Sequence, residues 1–221
     1  MKKILDDIVK NKLTIIGTRP ARGKMEFMSK LILELERKKG GVTLFAFDGS
    51  DVWYTMNLLV EYTGINRDKI FKYYYPCCGT GKENLEKIDK DRFISGIEFL
   101  QKSKIYIKSM PYVNFKNIFW DSGLEVICDE INDPWDEVQY IIIDRLEDVI
   151  KFGNYSKEDV LKRVNNTLKN KDVNVIIFDT LSHKFEKNQE KKLSSFNDFN
   201  LLKEYADSIG IVDYSEYVLI K

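Results

Sequence analysis

Short apolar runs that alternate with helical patterns are the feature of this sequence that most restricts its fold. The runs are rich in β-branched and aromatic residues, and several are apolar on successive positions. They lie at 13–17, 42–47, 105–107, 140–143, 173–178 and 217–220. Successive apolar residues suit strands that are covered on both faces. The alternation therefore predicts an α/β fold with a mostly parallel central sheet flanked by helices.

Helical periodicity fills the intervals between these runs. After the first run, apolar residues from Phe27 to Leu35 recur at helical spacing, and Gly40-Gly41 marks the end of that helix. Further helices are predicted near 51–63, 84–101, 114–127, 156–170 and 197–207. No sequence of linker character divides the 221 residues. We therefore expect a single domain over residues 1–221.

The segment GTRPARGKMEF, residues 17–27, has the character of a phosphate-binding loop. Gly23 and Lys24 supply its Gly-Lys pair, directly after an apolar run and directly before an amphipathic helix. This order points backbone N–H groups and a helix N-terminus at a phosphate. Two positions depart from the pattern, because Thr18 stands where a Gly is expected and Met25 stands where a Ser or Thr opens the helix. A thioether does not ligate Mg²⁺, which takes oxygen ligands.

An acidic residue, Asp144, ends the buried run in YIIIDRL. At the C-terminal edge of a parallel sheet, such a side chain could face a phosphate-bound metal ion. The alternative is that Asp144 only caps its strand. The order of the Gly-Lys loop and Asp144 in one α/β chain favours a nucleotide site.

These segments give the chain a resemblance to the RecA-fold motor domain of the DnaB-type replicative DNA helicases, in a shortened and degenerate form. The family's loop reads Ala-Arg-Pro, two variable residues and Gly-Lys-Thr, and TRPARGKM follows it with changes at Thr18 and Met25. Later segments match the family in the same order: TLFAFDGSDVWYTMNLL, KIYIKSMPYVNFKNI, YIIIDRLEDVI, VNVIIFDTLSHKFEKNQEKK and KEYADSIGIVDYSEYVLIK. The resemblance implies a RecA-like P-loop NTPase fold and a connection with DNA replication.

The resemblance also implies roles for individual residues. Lys24 would pair with the β and γ phosphates of ATP, or with the β phosphate of ADP, and Asp144 would hold Mg²⁺ through a metal-bound water. Asp48 stands where the family has its catalytic Glu, with a side chain shorter by one methylene. The residues that would contact the nucleotide are Thr18, Arg22, Gly23, Lys24, Met25 and Asp144.

Other positions imply that hydrolysis is weak or lost. Thr180 stands where the family has the Gln that senses the γ-phosphate, and Lys221 matches the Lys of its Lys-x-Arg finger. The Arg of that finger would fall beyond Lys221. Little sequence precedes Leu13, so we expect the family's N-terminal domain and linker to be absent.

Charge restricts the partners of the chain. Lys plus Arg and Asp plus Glu number 35 each, so no global positive field attracts a phosphate backbone. The window 129–148 holds eight acidic residues against one Arg. We therefore expect weak or no DNA binding by the isolated chain, and a monomer or small oligomer.

The N-terminus lacks the apolar run of a signal peptide, and no segment is long and apolar enough to cross a membrane, so the expected location is the cytoplasm.

Three functions stay open. The first is a DnaB-like protein of DNA replication that binds nucleotide and hydrolyses it slowly or not at all. The second is a pseudo-ATPase that contacts a replication protein such as a helicase. The third is an active DNA-dependent ATPase that recruits the missing groups from elsewhere.

The three tryptophans, Trp53, Trp120 and Trp135, are expected to anchor the core.

Overall fold

A computed structural model describes residues 2–19, 23–47, 49–74, 86–109, 123–135, 137–181, 198–213 and 216–220. Two of the predicted site residues, Arg22 and Asp48, lie outside the described residues, as do Trp120 and Lys221. The described strands are β1 (Leu13–Thr18), β2 (Gly41–Ala46), β3 (Ile105–Ser109), β4 (Val138–Asp144), β5 (Asn174–Thr180), β6 (Ser208–Asp213) and β7 (Glu216–Leu219).

These strands form one seven-stranded sheet in the order β3-β2-β4-β5-β1-β6-β7. Every neighbouring pair is parallel except β6 and β7, which are antiparallel. The predicted mostly parallel α/β sheet is thereby confirmed. Because parallel strands end at the same edge, Thr18, Ala46, Asp144 and Thr180 share one edge of the sheet, with Thr18 opposite Thr180 and Ala46 opposite Asp144.

Nine helices are described in these ranges. They are α1 (Lys2–Lys10), α2 (Lys24–Arg37), α3 (Asp51–Thr63), α4 (Arg67–Tyr74), α5 (Lys87–Lys102), α6 (Gly123–Asn132), α7 (Leu146–Gly153), α8 (Lys157–Leu168) and α9 (Phe199–Tyr205). None of the described helices combines the length and apolar character needed to cross a membrane.

The core has two apolar layers, one on each face of the sheet, because successive strand side chains point to opposite faces. On one face, Ile143 and Ile177 belong to a cluster with residues of α6, α7, α8 and α9. On the other face, Ile142 and Phe178 belong to a cluster with residues of α1, α2 and α3. The helix α2, which begins at Lys24, therefore lies on the second face.

Several features of the chain differ from the sequence predictions, including the helices α1, α4 and α7, which were not predicted. The helix expected near 114–127 is described as Gly123–Asn132, and 110–122 lie outside the described residues. Its buried residues Leu124, Ile127, Cys128 and Ile131 continue the helical spacing past the predicted end. The strand β6 was not predicted, because SIGIVD is short and its small Ser and Gly interrupt the apolar pattern.

The core role expected of two tryptophans is wrong, since Trp53 is 36% and Trp135 is 58% exposed.

Candidate functional site

The start of α2 forms one side of the candidate site. Gly23 is the N-cap residue of α2 and has a φ of 79°, in the left-handed region that glycine adopts without steric cost. Its carbonyl accepts a hydrogen bond from the Phe27 N–H at 2.9 Å, so the first helical turn begins directly after it. The N-terminus of α2, with its partial positive charge, therefore opens at the edge where β1 ends.

Thr18 is the last residue of β1 and is a buried part of the sheet. Its carbonyl accepts from the Leu181 N–H at 3.0 Å, and its hydroxyl donates to the Asp179 carbonyl at 3.5 Å. Only 4% of the residue is exposed. The described contacts of Thr18 thus connect β1 to the end of β5, and any phosphate contact by Thr18 stays a prediction.

Lys24 and Asp144 are brought together at this edge. The Lys24 ammonium donates to both carboxylate oxygens of Asp144, with Nζ–Oδ1 at 2.8 Å and Nζ–Oδ2 at 3.0 Å. The Asp144 side chain is fully buried, and the Lys24 side chain is 14% exposed. A buried carboxylate needs such a partner, because an isolated charge in a protein interior is strongly disfavoured. The two residues that the sequence placed in one site are therefore direct neighbours.

A third group, Tyr54, was not anticipated from the sequence. Its hydroxyl donates a hydrogen bond of 2.6 Å to Oδ2 of Asp144, and only 2% of the residue is exposed. Tyr54 lies on the first turns of α3, which Ser50 begins by accepting from the Trp53 N–H at 3.2 Å. Nothing in the apolar pattern of α3 distinguishes this tyrosine from a packing residue, so only the folded chain reveals its role at Asp144.

Met25, the second residue of α2, packs against the apolar core. It is partly buried against the apolar cluster that contains Phe27 and Met28. Its thioether therefore contributes to the packing of α2 on the sheet. The hydroxyl that a Ser or Thr would present to a metal ion at this position has no counterpart in Met25.

Asp48 lies outside the described residues, but its neighbour Phe47 shows where the chain runs. The Phe47 N–H donates to the Asp144 carbonyl at 2.8 Å, so β2 continues beside the end of β4 up to residue 47. Arg22 likewise has no described position, although Gly23 directly follows it. The roles of Asp48 and Arg22 stay predictions.

A second polar cluster lies at the end of β5, on the opposite face of the sheet from Lys24. Asp179 is 2% exposed, and its Oδ2 is 2.7 Å from Lys157 Nζ. The Thr180 N–H donates to Glu147 Oε1 at 2.8 Å and to Asp179 Oδ1 at 3.1 Å. Burial, opposed by Lys157 and assisted by Glu147, raises the pKa of Asp179 to about 6. An acidic residue in the apolar run VNVIIFDT was the one sequence signal for this cluster.

The donors around Asp144 fit Mg²⁺ poorly. This cation takes oxygen ligands in near-ideal octahedral geometry. Met25 offers only a soft sulfur, and Asp144 already accepts three hydrogen bonds. Within the described ranges, no group of three or more His, Cys, Asp and Glu side chains is placed to hold a metal ion. The arrangement can present an ammonium and a helix N-terminus to a phosphate, but it offers few metal ligands.

A parallel sheet with a Gly-Lys turn that opens a helix beside an acidic strand end defines the class of RecA-like P-loop domains. Comparison with sequence families supports a narrower assignment, since the model of the DnaB-like helicase C terminal domain matches residues 1–220. The chain therefore belongs to the family of DnaB-like helicase C-terminal domains.

Solved structures agree with this fold. The chain is similar to the ATPase domain of the G40P protein, with a TM-score of 0.68 and 20% identity over 90% of this chain and 68% of the other. It is also similar to a DnaB-like replicative helicase described with its interactions with primase, with a TM-score of 0.69 and 19% identity. That match covers 90% of this chain and 46% of the helicase, so the chain spans less than half of that relative. Among curated protein sequences, none matches.

Proposed function

We propose that this domain binds ATP or ADP at the turn between β1 and α2, and that it serves DNA replication with weak or lost ATP hydrolysis. The observation that carries the proposal is the position of Lys24. Its ammonium lies at the first turn of α2, next to the left-handed Gly23 and bonded to the strand-ending Asp144. A helix N-terminus with an adjacent cation is a favourable place for a phosphate.

Lys24 would hold the phosphates together with the backbone N–H groups at the start of α2. These groups act on the bound nucleotide in its ground state, because they need only its negative charge. Gly23, which lacks a side chain, leaves the helix N-terminus open to a phosphate group. Binding of nucleotide therefore does not depend on an intact hydrolytic apparatus.

Weak hydrolysis follows from the groups around the site. Catalysis of phosphoryl transfer relies on positioned charges and hydrogen-bond donors that stabilise the transition state. Met25 supplies no hydroxyl ligand, and Thr180 has a shorter side chain than the Gln of the family. The Thr180 N–H is also committed to Glu147 and Asp179. Asp48, at the position of the family's catalytic Glu, would be the remaining catalytic group.

A second candidate function is a pseudo-ATPase that contacts a replication protein such as a helicase. The exposed tryptophan Trp135 favours this alternative. Its ring is 58% exposed, packs edge-on against Tyr106, and lies 4.9 Å from the Lys108 ammonium. Tryptophan is enriched at protein interfaces and at their energetically important positions. Loss of helicase binding in Trp135→Ala, with nucleotide binding unchanged, would distinguish this function from the first.

A titration with a fluorescent ATP analogue tests the proposed function. We expect saturable binding by the wild-type chain and a loss of about tenfold or more in affinity for Lys24→Ala, which removes a charge-assisted contact. Lys30→Ala is the matched control, because Lys30 lies on the same helix and pairs with Glu26 on the exposed surface. Equal affinity of the two variants would refute the assignment of this turn as the nucleotide site.

A further inference from the structure

We infer that nucleotide binding by this domain does not depend on a divalent cation, because Lys24 and Tyr54 occupy the side of Asp144 that would otherwise face a metal-bound water. The inference rests on the proposed function. It concerns the metal ion of the bound nucleoside di- or triphosphate, which no protein group would hold, and it assigns to Tyr54 a positioning role at Asp144.

The hydrogen bonds that Asp144 accepts leave little room for a metal-bound water. A carboxylate has two oxygens and about four lone-pair sites. Lys24 Nζ takes one site on each oxygen, and the Tyr54 hydroxyl takes a second site on Oδ2. Three sites are therefore committed within the protein. A metal-bound water would have to displace one of these donors or use the single remaining site on Oδ1.

The burial of Asp144 and Tyr54 also opposes a metal ion at this position. Asp144 is fully buried, and Tyr54 is 2% exposed, so the hydrogen bond between them is shielded from water. Its length of 2.6 Å is typical of a hydroxyl that donates to a charged carboxylate. If a hydrated cation took this position, the Tyr54 hydroxyl would have to exchange this partner inside the protein, where rehydration is hindered. The buried tyrosine therefore opposes the entry of a hydrated metal ion.

The charge of Asp144 also bears on the binding of a metal ion. The positive charge of Lys24 already balances Asp144, at a distance of 2.8 Å. In a working P-loop site, the acidic strand end attracts the metal ion by its negative charge. Here that charge is neutralised by an ammonium on the α2 side, so the attraction for a second cation is reduced. The same pairing also weakens the attraction of Lys24 for a phosphate group, but the N-terminus of α2 still favours an anion at this place.

The side chain at position 25 completes the donor set. Met25 packs against the apolar cluster beneath α2, and its sulfur is a soft donor that Mg²⁺ does not select. Met25 and the hydroxyl of Tyr54 both disfavour a bound metal ion. Met25 stands in place of a hydroxyl ligand, and Tyr54 occupies the acceptor on Asp144 that would hold the metal's hydration shell.

Calorimetric titration of ATP into the wild-type chain, in Mg²⁺ and in EDTA, tests this inference directly. We expect dissociation constants that agree within about threefold, since no protein group responds to the metal. A wild-type affinity that is about tenfold or more higher in Mg²⁺ would overturn the inference and leave the proposed function intact. Failure of ATP and ADP to bind in both buffers would refute the proposed function, and this inference with it.

Variants test whether Met25 and Tyr54 make nucleotide binding independent of Mg²⁺. The double variant Met25→Thr and Tyr54→Phe restores a hydroxyl ligand and opens one acceptor on Asp144. We expect it to bind ATP about tenfold more tightly in Mg²⁺ than in EDTA. Tyr217→Phe is the matched control, because Tyr217 donates from a partly buried hydroxyl to another carboxylate, that of Asp7, at 3.1 Å. If the double variant gains no Mg²⁺ dependence beyond that of Tyr217→Phe, the roles assigned to Met25 and Tyr54 are wrong.

Discussion

Lys24 and Asp144 lie 120 positions apart in the chain, yet they form a buried ion pair with 2.8 Å between Nζ and Oδ1. The pair joins the N-terminus of α2 to the end of β4. Asp144 is fully buried, so Lys24 is its charge partner inside the protein. Lys24 thus has two roles, as the proposed phosphate anchor and as the group that neutralises a buried carboxylate.

The first prediction concerns the stability of this pair. We expect Lys24→Ala to lower the free energy of unfolding by about 3 to 5 kcal/mol, because it leaves a buried carboxylate without its counter-charge. Lys30→Ala removes an exposed pair with Glu26 on the same helix and should cost about 0.5 kcal/mol or less. Urea unfolding of both variants measures the difference. Similar losses would show that Asp144 finds another partner.

The second prediction compares two glycines with left-handed backbones. Gly23 has a φ of 79° at the start of α2, and Gly64 has a φ of 67° at the end of α3, where an added Cβ would meet nothing within 4 Å. Replacement of either residue by Ala should cost about 1 kcal/mol of stability, because an L-residue is disfavoured in this conformation. Only Gly23→Ala should weaken ATP binding, by about tenfold or more, as measured by fluorescence titration. An equal effect on affinity at Gly64 would contradict a local role for Gly23.

The third prediction concerns turnover. We expect ATP hydrolysis by the wild-type chain well below about one per second, even with Mg²⁺ and single-stranded DNA present. Met25→Thr alone should leave turnover low, since neither Thr180 nor the Tyr54 hydrogen bond to Asp144 is altered. A phosphate-release assay measures both proteins. Wild-type turnover near one per second or above would mean that groups other than those described supply the missing ligands.

The fourth prediction uses the raised pKa of Asp179, which is about 6 because of burial. The folded chain then binds this proton more tightly than the unfolded chain, in which the pKa has its ordinary value of 3.8. The associated stability is fully present below about pH 4 and is lost as the pH rises through about 6. Asp179→Asn should remove this decline, which amounts to at most about 3 kcal/mol. Chemical unfolding of both proteins between these pH values measures the difference.

The neighbours of Asp179 provide a control for that prediction. Glu147 on α7 and Lys157 on α8 are the charged groups that influence its titration. Glu147→Gln removes a negative neighbour and should therefore lower the pKa of Asp179. The loss of stability should then be smaller, and complete at a lower pH, in Glu147→Gln than in the wild type. A pH profile that is identical in all three proteins would show that Asp179 does not titrate in this range.

The fifth prediction concerns DNA. The acidic window 129–148 is less repulsive than its sequence indicates, because Glu130, Asp144 and Asp148 are buried. Glu130, for example, accepts from Thr43 at 2.7 Å and pairs with Lys108. The formal charge of the chain is still zero, so we expect single-stranded DNA to bind with a dissociation constant of about 10⁻⁴ M or weaker at physiological salt. Fluorescence anisotropy measures it, and micromolar affinity would contradict the prediction.

The sequence by itself determined the central sheet and the position of the candidate loop. Both depend on local patterns: apolar runs indicate buried strands, and Gly23-Lys24 stands between such a run and an amphipathic helix. The strand end at Asp144 was predictable for the same reason, since an acidic residue directly follows a continuous apolar run. The end of α6 and the strand β6 were harder, because short or diluted apolar patterns do not define boundaries.

The tertiary structure decided which side chains meet. Tyr54 lies 90 positions from Asp144, and its place on α3 reads as an ordinary packing position until α3 docks beside the end of β4. The same holds for Asp179, Glu147 and Lys157, which come from β5, α7 and α8. The inward orientation of Glu130 and Asp148 likewise follows from packing. Periodicity specifies the buried face of an element, but the partner of a polar group on that face depends on how separate elements pack, and no local pattern encodes that contact.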